Sequence, residues 1–257
     1  MSASSSSQAN NTMRSLERAF DVLTVIETAS SSLRLTDIAH SADLHVSTVT
    51  RLLGVLMRRG YVEQDPAGRY RPGPMFLTGA HAYLTTDMRN RLARPIIQSL
   101  AEITGTTTSF YVQHEFSRVL TVRVDGEQPL RYQIPIGRRL PLHLGAGKVL
   151  AAGMQEEDLE ALLAQHPDLD HESGKRVSRA EFESDLETIR RQGFWHAVGE
   201  REAQMESLAA PVRPSNEFQR PGMVVIATVR GIPGTNNIER WVDELTMAAR
   251  AIEQLPG

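Results

Sequence analysis

The sequence predicts an α+β protein in two parts, an N-terminal winged helix-turn-helix and a C-terminal α/β domain built on an antiparallel sheet. Three observations carry this expectation. Residues 36–60 hold two helical patterns around a tight turn, residues 61–71 alternate as a basic hairpin, and the remainder mixes strand and helix patterns without strict βαβ alternation. The length of 257 residues, with 40% hydrophobic and 23% charged side chains, suits a globular chain of one large or two smaller domains. No apolar run approaches the roughly 18 residues a membrane span needs, so no membrane partner is expected. The absence of cysteine excludes disulfides, thiolate metal sites and cysteine nucleophiles, and it fits a cytoplasmic protein.

Residues 1–12, MSASSSSQANNT, are small and polar and read as a disordered tail. The expected organisation beyond them is a DNA-binding domain over 13–75, a linker helix over 76–92 and a second domain over 93–257. Leu16, Ala19, Phe20, Leu23 and Ile26 recur at helical spacing, predicting a first helix with one buried stripe. Thr36 stands as the N-cap of a short second helix, with Asp37 favouring the positive end of its dipole and Ile38-Ala39 opening an apolar face. Val49, Leu52, Leu53 and Leu56 share the inner face of a third helix that Gly60 ends as a left-handed cap. Ala39 is small where two helix backbones approach, and Asp43 occupies a turn position that needs positive φ, which Asp tolerates at modest cost.

The outer face of the third helix shows Val46, Ser47, Thr50 and Arg51, hydroxyls and a guanidinium suited to base edges or phosphates in a major groove. Thr36 and Thr48 join them as candidate DNA contacts. Tyr61-Val62-Glu63 and Arg69-Tyr70-Arg71 flank the turn sequence Asp65-Pro66-Ala67-Gly68, and Arg69 and Arg71 project from one side of this wing toward a phosphate or the minor groove. Charge agrees. The net charge of −3 divides into +2 over residues 1–91 and −5 over the rest.

Farther along, Phe76, Leu77, Ala80, Leu84 and Met88 predict the linker helix, and Arg94-Pro95 the first turn of a helix ending at Gly105. Runs at 107–113 and 119–124 read as a hairpin, 207–212 and 223–230 as further strands, and 156–164, 179–191 and 238–255 as helices. Gly145-Ala146-Gly147-Lys148 is open to two readings: backbone N–H groups offered to an anion, or a glycine turn that permits close packing.

Taken together, SLERAFDVL, LTDIAHSADLHVSTVTRLLGVLMRRGYVEQDPAGRYRPG, LPLHLGAGKVLAA, GFWHAVGE and ESLAAPVR resemble the segments of an IclR-family transcriptional regulator, in order and approximate spacing, from about Ser15 to the C-terminus. The resemblance implies a dimeric or tetrameric repressor or activator that binds double-stranded DNA at a near-palindromic operator. It also implies a GAF-like effector domain taking a small organic, even aromatic, acid. By that resemblance Leu140, Gly145, Ala146, Ala197, Ser207, Thr228 and Arg230 line the effector cavity, with Ser207 where the family often has cysteine. Ser207, Thr228 and Arg230 would converge on a carboxylate; for Arg230 an outward, solvated position is equally open.

Rival functions find less support. No HExxH or comparable histidine spacing and no Gly-x-Ser-x-Gly occurs, so no catalytic residue, metal or cofactor is expected. Glu200, Glu202 and Glu206 read as a charged surface, and Lys148 as structural or solvated. The alternative kept beside a ligand-responsive regulator is an architectural DNA-binding protein with no small-molecule ligand.

Overall fold

The computed structural model describes residues 3–127, 134–171, 174–231 and 238–256, with side chains from Met13 onward. The chain divides into two compact units, Met1–Tyr83 and Leu84–Gly257.

In the first unit α1 (Ala3–Thr28), α2 (Leu35–Ser41) and α3 (Val46–Arg58) precede a hairpin of β1 (Val62–Gln64) and β2 (Tyr70–Pro72). Val22, Ile26, Ile38, Ala39, Val49, Leu53, Leu56 and Val62 form its core. Asp43 adopts φ 51° in the turn between α2 and α3, and Gly60 follows α3 at φ 73°. The hairpin is held to the helices by Leu33, which exchanges both main-chain hydrogen bonds with Tyr70 at 2.8 and 2.9 Å.

Three expectations for this unit change. Helical backbone begins at Ala3, not after a disordered tail over 1–12; extending a nucleated helix adds one hydrogen bond for each residue fixed. On α1 the buried positions are Val22 and Ile26, while Leu16 and Phe20 stay 52% and 59% exposed, so the helix carries a second apolar face. Thr36 lies inside α2, whose N-cap is Arg34; the Arg34 N–H donates to Asp37 Oδ2 at 3.2 Å, the half of a capping box that an acidic third residue supplies.

The linker segment also differs from one helix over 76–92. α4 (Met75–Thr86) stops at Asp87, whose carboxylate accepts the Asn90 N–H at 2.7 Å and caps α5 (Met88–Thr104). Pro95 therefore sits inside α5 rather than at its start. A local cap at Asp87 satisfies donors that would otherwise go unpaired at the new helix start.

The second unit is a six-stranded antiparallel sheet in the order β5-β4-β3-β8-β7-β6. Its strands are β3 (Thr107–His114), β4 (Ser117–Val124), β5 (Arg139–Pro141), β6 (Trp195–Val198), β7 (Met205–Val212) and β8 (Gly222–Val229). α5 and α9 (Val242–Glu253) cover one face, packing Ile97, Leu100, Leu245 and Ile252 on Phe110, Leu208, Val224 and Ile226. The opposite face lies under α6 (Lys148–Ala151), α7 (Glu156–Gln165) and α8 (Arg179–Gln192), where Tyr111, Leu120, Ala209, Met223 and Val225 meet Val149, Leu162, Phe182 and Leu186. Neighbouring residues of a strand point to opposite faces. In β7 the odd numbers serve the α6–α8 side, and β8 matches it because Ser207 pairs with Ala227. No helix among the described residues is long and apolar enough to cross a membrane.

Candidate functional site

α3 buries Val49, Leu53 and Leu56 and so turns Ser47, Thr50 and Arg51 to solvent; Val46 is 46% exposed beside them, and Thr48 is half-buried. The Thr50 hydroxyl donates to the Val46 carbonyl at 2.8 Å, leaving its oxygen to act as an acceptor. Thr36 is exposed at the start of α2. On the hairpin Arg69 and Arg71 are both exposed, but Arg71 faces Glu63 across the strands and pairs with it at 3.1 Å. The turn between them is set by Asp65, whose carboxylate accepts the N–H groups of Arg69 and Ala67 at 2.9 Å. These bonds, that of Arg69 foremost, hold the Asp65 carboxyl below its ordinary pKa.

A second constellation lies on the sheet face beneath α6. A cavity there is lined by Leu140, Gly145, Ala146, Ala197 and Ser207, five of the residues singled out from the sequence, together with Tyr111, Arg118, Glu200, Arg201, Glu202, Met205, Glu206, Val225 and Ala227. Thr228 and Arg230 do not reach it. The register places Ala227 opposite Ser207, so Thr228, one residue on, belongs to the other face of the sheet and is buried there. β8 ends at Val229, and Arg230 is exposed beyond it.

Sequence reasoning missed Arg118. Its side chain is 3% exposed, donates through Nη1 to the carbonyls of Pro141 (2.9 Å) and Leu144 (3.0 Å), and lies 5.7 Å from the centre of the Tyr111 ring. Its buried Nε has no hydrogen-bond partner among the described residues. Burial pushes the guanidinium pKa down to about 10, with Tyr111 and Glu200 opposing the shift and Arg201 adding to it, so the group stays cationic at neutral pH. Burial raises the Tyr111 pKa and keeps that phenol neutral. The signal for Arg118 was present in SRVLTVRV, where Arg118 alternates with the buried Leu120.

The glycine loop combines both of its readings. Gly145 takes φ 60°, and a Cβ at Gly147 would collide with Arg118 Nη1 and stand 2.6 Å from the Pro141 carbonyl, so close packing requires that glycine. The Gly145 N–H does meet an anion, but an internal one: it donates to Glu200 Oε2 at 3.0 Å. Glu200 is 5% exposed, contrary to the surface role expected of it. The same oxygen lies 2.7 Å from Lys148 Nζ and 3.4 Å from His171 Nε2, while Oε1 accepts Trp195 Nε1 at 3.0 Å. Lys148, 1% exposed, also binds Asp185 at 2.8 Å. Glu206 is likewise largely buried, 3.2 Å from His196, and only Glu202 keeps a surface position.

Two family profiles match this chain: one described as IclR helix-turn-helix domain over residues 15–66, and one described as bacterial transcriptional regulator IclR C-terminal over residues 81–254. The chain belongs to the IclR family. It is a transcriptional regulator with a helix-turn-helix DNA-binding domain and a C-terminal effector-binding domain. Among relatives of this IclR-family regulator, the HTH-type transcriptional regulator XynR of Escherichia coli K12 is 32% identical over 248 residues, covering 95% of this chain and 98% of XynR. An IclR-family regulator from Brucella abortus shares the fold at a TM-score of 0.79 and 22% identity, over 95% of this chain and 93% of that one. An IclR homologue from Microbacterium hydrocarbonoxydans, complexed with 4-hydroxybenzoate, has a TM-score of 0.69 and 23% identity over 93% and 97% of the two chains.

Proposed function

We propose that this regulator works in the cytoplasm as a dimer on a near-palindromic operator, placing one α3 and one wing on each half-site. A small organic acid in the cavity beside Gly145 and Ala146 then shifts the arrangement of the DNA-binding units. Arg118 carries the ligand half of this reading. A buried cation with an unmatched donor on a cavity wall is stabilised by an anion. Leu140, Ala146, Ala197, Met205 and Val225 supply an apolar lining for a carbon body. Because Glu200, Glu202 and Glu206 also line the cavity, the acid that fits brings a hydrogen-bond donor such as a hydroxyl as well as a carboxylate. The 4-hydroxybenzoate held by the Microbacterium homologue is of this class and supports the reading.

Self-association is supported by apolar surface in the first unit. α1 exposes Met13, Leu16 and Phe20, and α4 buries none of its residues and leaves Leu77 73% exposed. A second copy is the occupant we assign, since one helix-turn-helix reads one half-site.

The test uses the full-length chain and duplexes it selects from a randomised library. Replacing Arg69 and Arg71 by Ala is expected to weaken binding to every duplex and to lower the salt slope by about one for each lost phosphate contact; an unchanged slope removes the wing from the interface. Calorimetry against hydroxy and hydroxyaromatic acids is expected to find a ligand that Arg118→Met loses, measured at a temperature where that variant, which lacks the two bonds to the Pro141 and Leu144 carbonyls, is still folded. Binding undisturbed by that substitution refutes the cavity. DNA affinity indifferent to every acid favours the architectural alternative.

A further inference from the structure

α3 carries a glycine in the middle of a helix, where glycine is less stable than alanine because it surrenders more backbone freedom on folding. At most of the other described glycines the chain itself supplies a reason. Gly60, Gly68 and Gly105 have φ of 73°, 76° and 66°, and a Cβ on Gly73 or Gly126 would collide with a main-chain carbonyl. Gly54 has neither reason. Its φ is not positive, and a Cβ there would find Arg58 Nη1 at 3.7 Å and nothing nearer, an ordinary van der Waals distance. Gly79 and Gly153 share this property; Gly153 lies in the turn after α6, and Gly79 belongs to α4, the helix assigned above to a second copy.

The position of Gly54 is specific. Positions 47, 51, 54 and 58 recur at four, three and four residues, which sets Gly54 between Ser47, Arg51 and Arg58 on the side opposite Val49, Leu53 and Leu56. An α-helix with its side chains is about 10–12 Å across and a B-form major groove about 12 Å wide, so one missing side chain changes how deeply the helix can sit. We propose that Gly54 is the point where the α3 main chain meets the duplex, and that its bare backbone lets Ser47, Thr50 and Arg51 reach base edges. The inference rests on the DNA-binding reading of α3 and adds to it a residue whose contribution is the absence of a side chain.

The experiment compares wild type, Gly54→Ala, Gly54→Leu and Arg51→Ala as full-length chains, each against the duplex selected by wild type. Gly54→Ala is expected to raise the thermal midpoint of the free protein by about 4 °C, as a helix-interior alanine should. It is expected to bind the selected duplex about tenfold more weakly, the scale of a methyl group forced into a filled interface, and Gly54→Leu more weakly still. If Gly54→Ala binds as tightly as wild type while Arg51→Ala loses affinity, the inference falls and the DNA-binding reading of α3 stands. If Gly54→Ala lowers the thermal midpoint, the glycine has an internal role and the inference falls. If wild type selects no duplex, or Arg51→Ala changes nothing, the reading of α3 itself fails and takes the inference with it.

Discussion

Replacing Lys148 by Met removes a charge while keeping most of the side chain's bulk. Lys148 is 1% exposed, and its ammonium lies 2.7 Å from Glu200, 2.8 Å from Asp185 and 5.2 Å from the centre of the Trp195 ring. Breaking a buried ion pair by deleting one partner costs about 3–5 kcal/mol, because the other charge is left buried and uncompensated. Here the lower end applies. Glu200 keeps hydrogen bonds from the Gly145 N–H and Trp195 Nε1, and Asp185, 30% exposed, can turn to water. The expected loss is about 3 kcal/mol. Both tryptophans, Trp195 and Trp241, lie in the second unit, so fluorescence-detected denaturation reports on it directly. The midpoint should fall with the slope unchanged. Adding Glu200→Gln removes the stranded carboxylate and should recover about 2 kcal/mol, a coupling that a double-mutant cycle isolates. A single variant within about 0.5 kcal/mol of wild type, or a double variant no more stable than the single, refutes the account of a buried pair.

Two further predictions concern pH and the helix junction. His143, 9% exposed and 4.3 Å from the ring centre of His166, has its pKa lowered from 6.5 to about 4, by burial first and then by His166. Its neutral form therefore favours folding. That contribution is complete above pH 6.5 and is lost as pH falls toward 4, by about 3 kcal/mol in all at roughly 1.4 kcal/mol per unit. Burial lowers His166 and His171 in the same direction. Denaturation midpoints across this range should flatten in His143→Gln, and an equally steep profile in that variant rules His143 out. Asp87→Ala deletes the 2.7 Å cap on α5 and should cost about 1 kcal/mol, with faster amide exchange at Asn90 and recovery in Asp87→Ser; unaltered exchange there denies the cap its role.

The two units differ in how far they can be read from the chain. Ala39, Asp43, Val49, Leu53 and Gly60 are bound to their places by local geometry: a close helix crossing, a positive φ, a three-and-four stripe and a left-handed cap. α1 is the exception, because Leu16 and Phe20 satisfy the same periodicity as Val22 and Ile26, and spacing alone cannot say which apolar stripe meets the core. Leu140, Gly145, Ala146, Ala197 and Ser207, which the motif resemblance assigns to an effector site, line the cavity, whereas Thr228 lies on the other face of the sheet and Arg230 beyond the end of β8. A single-residue offset exchanges the two faces of a strand, so Ala227 stands where Thr228 was expected. β5 and β6, three and four residues long, were too short to declare themselves.

By itself the sequence determined the helix-turn-helix, the wing, the family and the longer strands and helices, since these follow from contacts between residues near in the chain and from motifs of fixed spacing. Only the tertiary structure decided which charges are buried. Arg118, Lys148 and Glu200 lie far apart in sequence and come together because β4, α6 and the segment after β6 converge on one face of the sheet. Whether a charged side chain is solvated, paired or waiting for an anion depends on neighbours brought in from distant segments, a relation that no local pattern encodes.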